Sequence, residues 1–318
     1  MFDIISLYGG IIMAKKVVKF IIQGFVIVFL VTASFFIGLK VPTSSSLWNI
    51  YIPNANSRGT YFTIHNITEA HEYSKGKGIK IGILDWGFGY SKHKSLYAGG
   101  ECFNGFRQNF DENSEHGLWM ATVLKEIAPE SEIYALGTFI PNNETKWIDA
   151  MAMGIEWAIE NKIDILTLSH QQITDRNRVR FDEIIDKAIA SNIITTFIHY
   201  DNPNNILPYM LSNKHNYKRD PDINIFHYDY NALLISEYMN YLERGNEIAE
   251  SRLYFSMSST SPVTAGFVAI LKSINGGLSP SEYKNILVQT SYQMEYDGEL
   301  VDHVADIGNA VKYLIEHY

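Results

Sequence analysis

Three polar residues of this chain have the types that together perform acyl transfer. They are Asp85 in Asp85-Trp86-Gly87, His116 in His116-Gly117, and Ser258 in Ser258-Ser259-Thr260-Ser261-Pro262. A serine hydroxyl is a weak nucleophile at neutral pH and needs a base within hydrogen-bond reach. Histidine suits that task because its proton comes and goes near pH 7. A carboxylate behind the imidazole fixes its tautomer and stabilises its charged form. Taken singly, the same residues read as a strand-end turn, a helix start and an N-cap. Their joint occurrence is what points to nucleophilic catalysis.

The elements that must hold them are legible around each residue. Asp85 closes an apolar run, so a strand is predicted over Ile79–Asp85. His116 opens a helical pattern that should run to Ile127 and stop at Ala128-Pro129. Ser258 opens a second pattern that reaches Leu271. Further strands are expected at Glu132–Leu136, Ile163–Leu168 and Ile193–Ile198. Helices are expected at Thr145–Asn161, with Ile148, Met151, Ile155 and Ala158 on one face, and at Arg180–Ser191. Such alternation predicts an α/β fold of three layers, with a mostly parallel central sheet and helices on both faces. Functional residues then belong at the carboxyl ends of strands, where Asp85 and the segment after Ile198 both fall. Residues 203–250 are polar and read as surface excursions, and Pro280–Tyr318 reads as two helices, the first started by Ser279-Pro280-Ser281-Glu282.

Composition narrows the function classes. The 318 residues are 46% apolar, which supports one large domain with a packed core. A net charge of −9 argues against a nucleic-acid partner. The single cysteine, Cys102, excludes an intrachain disulfide and reads as a packing residue. No Cys/His cluster suggests zinc, and no phosphate-cradling loop suggests a nucleotide. Asp111, Glu112 and Glu115 offer oxygen atoms, but their spacing fits no calcium loop and a solvated acidic turn explains them. No cofactor is therefore expected, with calcium left open but without a clear site, and the oligomeric state is left open.

Residues 1–40 read as a cytoplasmic N-terminus followed by a hydrophobic segment. Lys15, Lys16 and Lys19 precede the uncharged run 20–39, which is long enough to cross a bilayer of about 30 Å. The lysine bias puts the N-terminus in the cytoplasm and the rest outside. An uncleaved membrane anchor and a signal peptide cut after Val31-Thr32-Ala33 are both compatible with this run, and its apolar continuation through Leu39 favours the anchor. Met13 is an alternative start. Residues 41–62 form a linker rich in Ser, Pro and Asn, and residues 63–318 form the main domain.

The motifs resemble the subtilisin-like serine peptidases over about residues 65–318. Gly76-Lys-Gly-Ile-Lys-Ile-Gly-Ile-Leu-Asp85-Trp-Gly is similar to that family's first block. His116-Gly117, Ile127-Ala-Pro129 and Ile133–Leu136 are similar to its histidine helix and following strand. Gly154–Ser169 resembles its central helix and strand, and Ser258–Gly266 its nucleophile block. The order Asp, His, Ser separates this class from chymotrypsin-like and α/β-hydrolase chains. The resemblance implies that Ser258 is the nucleophile, His116 the general base and Asp85 its orienting carboxylate. It implies a peptide or protein substrate, cleaved outside the cytoplasm if the lysine bias before the run 20–39 sets the orientation. The family's inhibitory propeptide is not evident, since residues 41–62 are too few for it.

Several positions depart from the family's pattern. The oxyanion asparagine aligns without gaps to Asp201, and with a one-residue slip to Asn202. An ionised Asp201 would repel a developing oxyanion. The substrate-binding edges carry Ser169-His170-Gln171 and Ile198-His199-Tyr200 in place of the family's glycine-containing edges, and Gln171 and Tyr200 would narrow the first specificity pocket. Two functions follow: a serine endopeptidase, or an impaired pseudopeptidase that grips extended peptides on the same fold.

Overall fold

The computed structural model describes residues 62–170, 173–210, 222–225, 257–296 and 298–318. These lie in the second of two units into which the chain divides, Asn56–Tyr318. The hydrophobic run 20–39, the linker 41–61, most of 203–250 and Gln171 lie outside the described residues. Among the described residues no helix is long and apolar enough to cross a membrane.

The chain order is α1 (Ile67–His71), β1 (Lys80–Asp85), β2 (Gly99–Cys102), α2 (Arg107–Glu112), α3 (His116–Ile127), β3 (Glu132–Gly137), α4 (Glu144–Glu160), β4 (Ile165–Leu168), α5 (Arg178–Ala190) and β5 (Ile194–Phe197). It continues through β6 (Pro208–Met210), β7 (Ile223–Ile225), α6 (Thr260–Ile274), α7 (Pro280–Gln289), β8 (Tyr292–Tyr296), β9 (Glu299–Val304) and α8 (Ile307–His317). Strands β2-β3-β1-β4-β5 form a five-stranded sheet in that order, every pair parallel. A second sheet has the order β6-β7-β9-β8, with β8 and β9 antiparallel.

Alternation along the strands sorts the two faces. Leu84, Leu136, Leu166 and Leu168 join Trp147, Met151, Phe181 and Ile185 of α4 and α5 in one buried cluster. On the opposite face α6 lies against β4, β5 and α3. Every residue of α6 from Thr260 to Lys272 is buried. Its first turn is tied to the sheet by Ser261, whose Oγ donates to the Thr196 carbonyl and lies 2.6 Å from Thr167 Oγ1.

Helix starts follow their local chemistry. Asn143 caps α4 by accepting from Lys146 N–H at 3.0 Å. Ser279 and Glu282 form the capping box expected of α7, with Pro280 in its first turn. The tail departs from the two-helix expectation: a hairpin, β8–β9, separates α7 from α8. Tyr292-Gln-Met-Glu-Tyr296 alternates apolar and polar residues and is followed by Asp297-Gly298, a strand and turn pattern rather than a helical one.

The first and last elements of the domain are joined. Ile307 N–H donates to the His65 carbonyl at 3.0 Å, and His65 Nδ1 lies 2.6 Å from the Ala305 carbonyl. Asn66 Nδ2 donates to Asp306 Oδ2 at 2.8 Å, Tyr292 Oη donates to the Ile64 carbonyl at 2.9 Å, and Lys312 pairs with Glu69.

Candidate active site

The strand order reverses at β1, which has β3 on one side and β4 on the other. In an open parallel sheet the crevice for a ligand forms at the carboxyl ends beside such a reversal. Asp85 ends β1 there. The β1–β4 register sets Ile83 opposite Thr167, so Ser169 and His170, just past β4, reach the same end of the sheet.

Asp85 is fully buried. Its Oδ2 lies 2.8 Å and its Oδ1 3.0 Å from His116 Nδ1, and Oδ1 also accepts from Trp86 N–H at 2.8 Å. A buried carboxylate needs such donors to remain charged. Backbone bonds lock the corner: Gly117 N–H donates to the Trp86 carbonyl and Glu115 N–H to the Gly87 carbonyl, both at 2.7 Å. The two glycines have steric reasons. Gly87 has φ +66°, and a Cβ there would meet Glu115 Cβ at 2.4 Å. A Cβ on Gly117 would sit 2.6 Å from the Trp86 carbonyl oxygen.

Burial pushes the His116 pKa down, but the charge of Asp85 and its hydrogen bond together outweigh it, so the pKa lies above the ordinary histidine value. Trp86 adds a further contact. Its ring stacks on the His116 ring at 4.6 Å and 4°, with Phe139 stacked against Trp86 at 4.3 Å. An aromatic face favours an imidazolium over a neutral ring. Sequence reasoning gave no role to Trp86 or Phe139. Trp86 is adjacent in sequence to Asp85, and that adjacency was the usable signal.

Ser258 lies in the single helical turn Met257–Ser259 that leads into α6 and contacts α3. It is partly exposed, and no hydrogen bond joins it to His116. The structure thus brings Asp85 and His116 into direct contact, and places Ser258 in a turn against α3 with no hydrogen bond to either. Catalytic hydrogen bonds are often long before a substrate binds.

The β5 side is arranged differently. Asn205 is buried and ties the strand end: its Oδ1 accepts from Phe197 N–H at 2.8 Å, and its Nδ2 donates to the Phe197 and Tyr200 carbonyls. Tyr200, expected at a substrate edge, is fully buried instead. Its ring meets Phe181 edge-on at 5.1 Å and its hydroxyl donates to Asp182 at 2.8 Å, both residues of α5. Burial, then Asp182, push its pKa up beyond the ordinary tyrosine range. Large apolar rings are stabilised by such burial, so the ring follows the core and not the cleft. Asp201 is exposed and its carbonyl accepts from Arg178 at 3.1 Å. Asn202 Nδ2 donates to Tyr200 Oη at 3.2 Å, and its Oδ1 accepts from Asn204 N–H. One of the two Asn202 N–H donors is thus held by Tyr200, which fixes where the other can point.

Ser169 is buried at the end of β4. His170 lies beside Asp85, its Nε2 4.0 Å from Oδ1. The acidic residues 111–115 are partly engaged: Asp111 pairs with Arg107 at 3.3 Å and Glu115 accepts from Asn109 at 3.2 Å. Among the described residues no group of three or more His, Cys, Asp or Glu is clustered to hold a metal ion.

No family model matches the chain. Minor extracellular protease Epr of Bacillus subtilis (strain 168) is 27% identical over 129 residues, 37% of this chain and 19% of that protein. Subtilisin DY of Bacillus licheniformis is 29% identical over 130 residues, 38% of this chain and 46% of that protein. The match thus spans less than half the length of either relative. Among solved structures, MycP1 with its N-terminal propeptide removed superposes with a TM-score of 0.55 at 13% identity, covering 79% of this chain and 96% of that one. The prenylagaramide maturation protease PagA gives 0.56 at 14% identity, covering 78% and 98%. Identities this low speak to the fold, because chemistry depends on the site grafted onto it.

Proposed function

On this subtilisin-like serine peptidase fold, we propose that the chain is a serine endopeptidase in which Ser258 attacks, His116 moves the proton and Asp85 orients His116. The observation that carries the reading is the buried Asp85–His116 pair, bonded at 2.8 Å at the carboxyl end of the central strand. In the acylation step the Ser258 oxygen bonds to the scissile carbonyl carbon as its proton passes to His116. The same proton then goes to the leaving amine. Water repeats the sequence on the acyl-enzyme. The backbone N–H of Ser258, at a helical start, is the nearest candidate to receive the oxyanion, with Asn202 or Asp201 as the side-chain contributor. The relatives' names, which include extracellular and maturation proteases, support a peptide or protein substrate.

The domain acts outside the cytoplasm in this reading, held by the run 20–39 or released from it. The lysines before that run and the name of the Bacillus relative support this. Carbonate extraction of membranes separates the two: retention in the pellet marks an anchor.

A second reading is a peptide-binding pseudopeptidase. The lack of a hydrogen bond between Ser258 and His116, and the engagement of Asn202 with Tyr200, favour it. Labelling with a fluorophosphonate probe decides between them, because the probe needs an activated serine and no known substrate. Labelling that disappears in both Ser258→Ala and His116→Ala supports the peptidase. A folded protein that stays unlabelled from pH 5 to 9 leaves the binding protein.

A further inference from the structure

Asp85 has an imidazole on each side. His116 holds it from α3, and His170, past the end of β4, brings Nε2 to 4.0 Å from Oδ1. The His170 side chain is 12% exposed. Phe139 meets its ring edge-on at 4.6 Å and Trp86 at 5.4 Å. Neither ring nitrogen makes a well-formed hydrogen bond, although the Leu84 carbonyl lies close enough to act on the ring. A buried N–H left without an acceptor is costly, so the ring gains by turning that N–H toward an acceptor. Two acceptors face it, the Asp85 carboxylate and the Leu84 carbonyl. A charged acceptor makes the stronger bond.

We propose that His170 is a positioning residue for Asp85: as a neutral ring it offers its Nε2–H to Oδ1 and draws off part of the carboxylate's charge. The proposal rests on Asp85 and His116 being the acid–base pair. Oδ1 already accepts from Trp86 N–H and His116 Nδ1, and an N–H dipole aimed at it from 4.0 Å, too far for a full hydrogen bond, weakens the hold of Asp85 on a protonated His116. His170 thereby tunes how readily His116 gives its proton to a leaving group. The titratable groups that face His170 are Asp85 from β1 and His116 from α3, while Trp86 and Phe139 are uncharged. Burial pushes the His170 pKa down to about 4, Asp85 opposes this and His116 adds to it, so His170 is neutral while His116 titrates.

The test is histidine NMR, which needs no turnover. In the unaltered protein the ring ¹⁵N shifts of His170 should report the Nε2–H tautomer; an Nδ1–H tautomer overturns the proposal. In His170→Leu the donor is lost, and the His116 titration midpoint should rise by about half a pH unit or more. In His170→Gln, which keeps an N–H, it should rise by less than half as much. An unchanged midpoint in His170→Leu, or equal movement in both variants, overturns the proposal. The acid limb of fluorophosphonate labelling should follow the midpoint. A midpoint that moves as expected in protein that never labels supports the role of His170 and rejects the peptidase reading alone, so the two failures are distinguishable.

Discussion

Asp85 and His116 are bonded to each other, and their loops are bonded to one another through Trp86, Gly87, Glu115 and Gly117. Elsewhere in the candidate site, Ser258 has no bond to His116, and Asn202 is bonded to Tyr200 and its own turn. The difference follows from charge. A buried carboxylate is stable only with permanent donors, so its half of the site must be completed as the chain folds. A partly exposed hydroxyl or amide can be satisfied by solvent or a neighbour, at little cost, until a substrate arrives. The charged half is thus part of the fold, and the nucleophilic half is a matter of loop position.

The largest effect that would break this comparison is Asp85→Asn. The shape is kept, but the acceptor that fixes the His116 tautomer is lost, and labelling should slow by about 10⁴-fold. A slowing of less than tenfold would show that Asp85 is only structural. Next, Gly117→Ala forces a Cβ against the Trp86 carbonyl, and should lower stability by about 1–3 kcal/mol in urea unfolding. The same change at an unstrained site would cost far less.

Stability should also fall in acid. His65 and His170 have pKa values pushed down to about 4 by burial, below the unfolded value near 6.5. The unfolded chain therefore binds more protons between these values, and stability present above about pH 6.5 is lost as the pH falls toward 4. His116 has the opposite sign. Its raised pKa contributes stability below the unfolded value, lost as the pH rises through the folded one. Melting temperature against pH should slope downward into acid, and His65→Gln should flatten the slope.

Trp86→Leu sharpens the charged half. Loss of the stacked face removes about 0.5–2 kcal/mol of preference for the imidazolium, so the His116 midpoint and the acid limb of labelling should both move to lower pH. The smallest effects belong to the other half. Tyr200→Phe frees the Asn202 amide, at about 1 kcal/mol in lost bonds, and should speed labelling a few-fold if Asn202 serves the oxyanion. Asp201→Asn should do so instead if Asp201 does. Faster labelling in neither would leave the oxyanion to backbone groups.

The parts that were legible in the sequence were those written in contiguous pattern. Ile79–Asp85 and His116–Ile127 announced themselves by apolar period and turn residues, and Asp85 and His116 came with them. The strand Gly99–Cys102 did not, because Gly-Gly-Glu-Cys has no apolar run and, among the described residues, is an edge strand paired to β3. His170 beside Asp85 was invisible for a related reason: the contact depends on the β1–β4 register, which no local pattern encodes. Tyr200 was misplaced because a ring at a strand end can turn to the core or the cleft, and the vacancy beside Phe181 that decides it is built by distant residues.

The joining of residues 64–69 to 305–312 has a mechanical consequence. Tension applied to the chain ahead of residue 62 enters at bonds made with β8 and α8 before it reaches β1. A domain tugged from that side would strain its rear clasp first, while Asp85 and His116 stay in register.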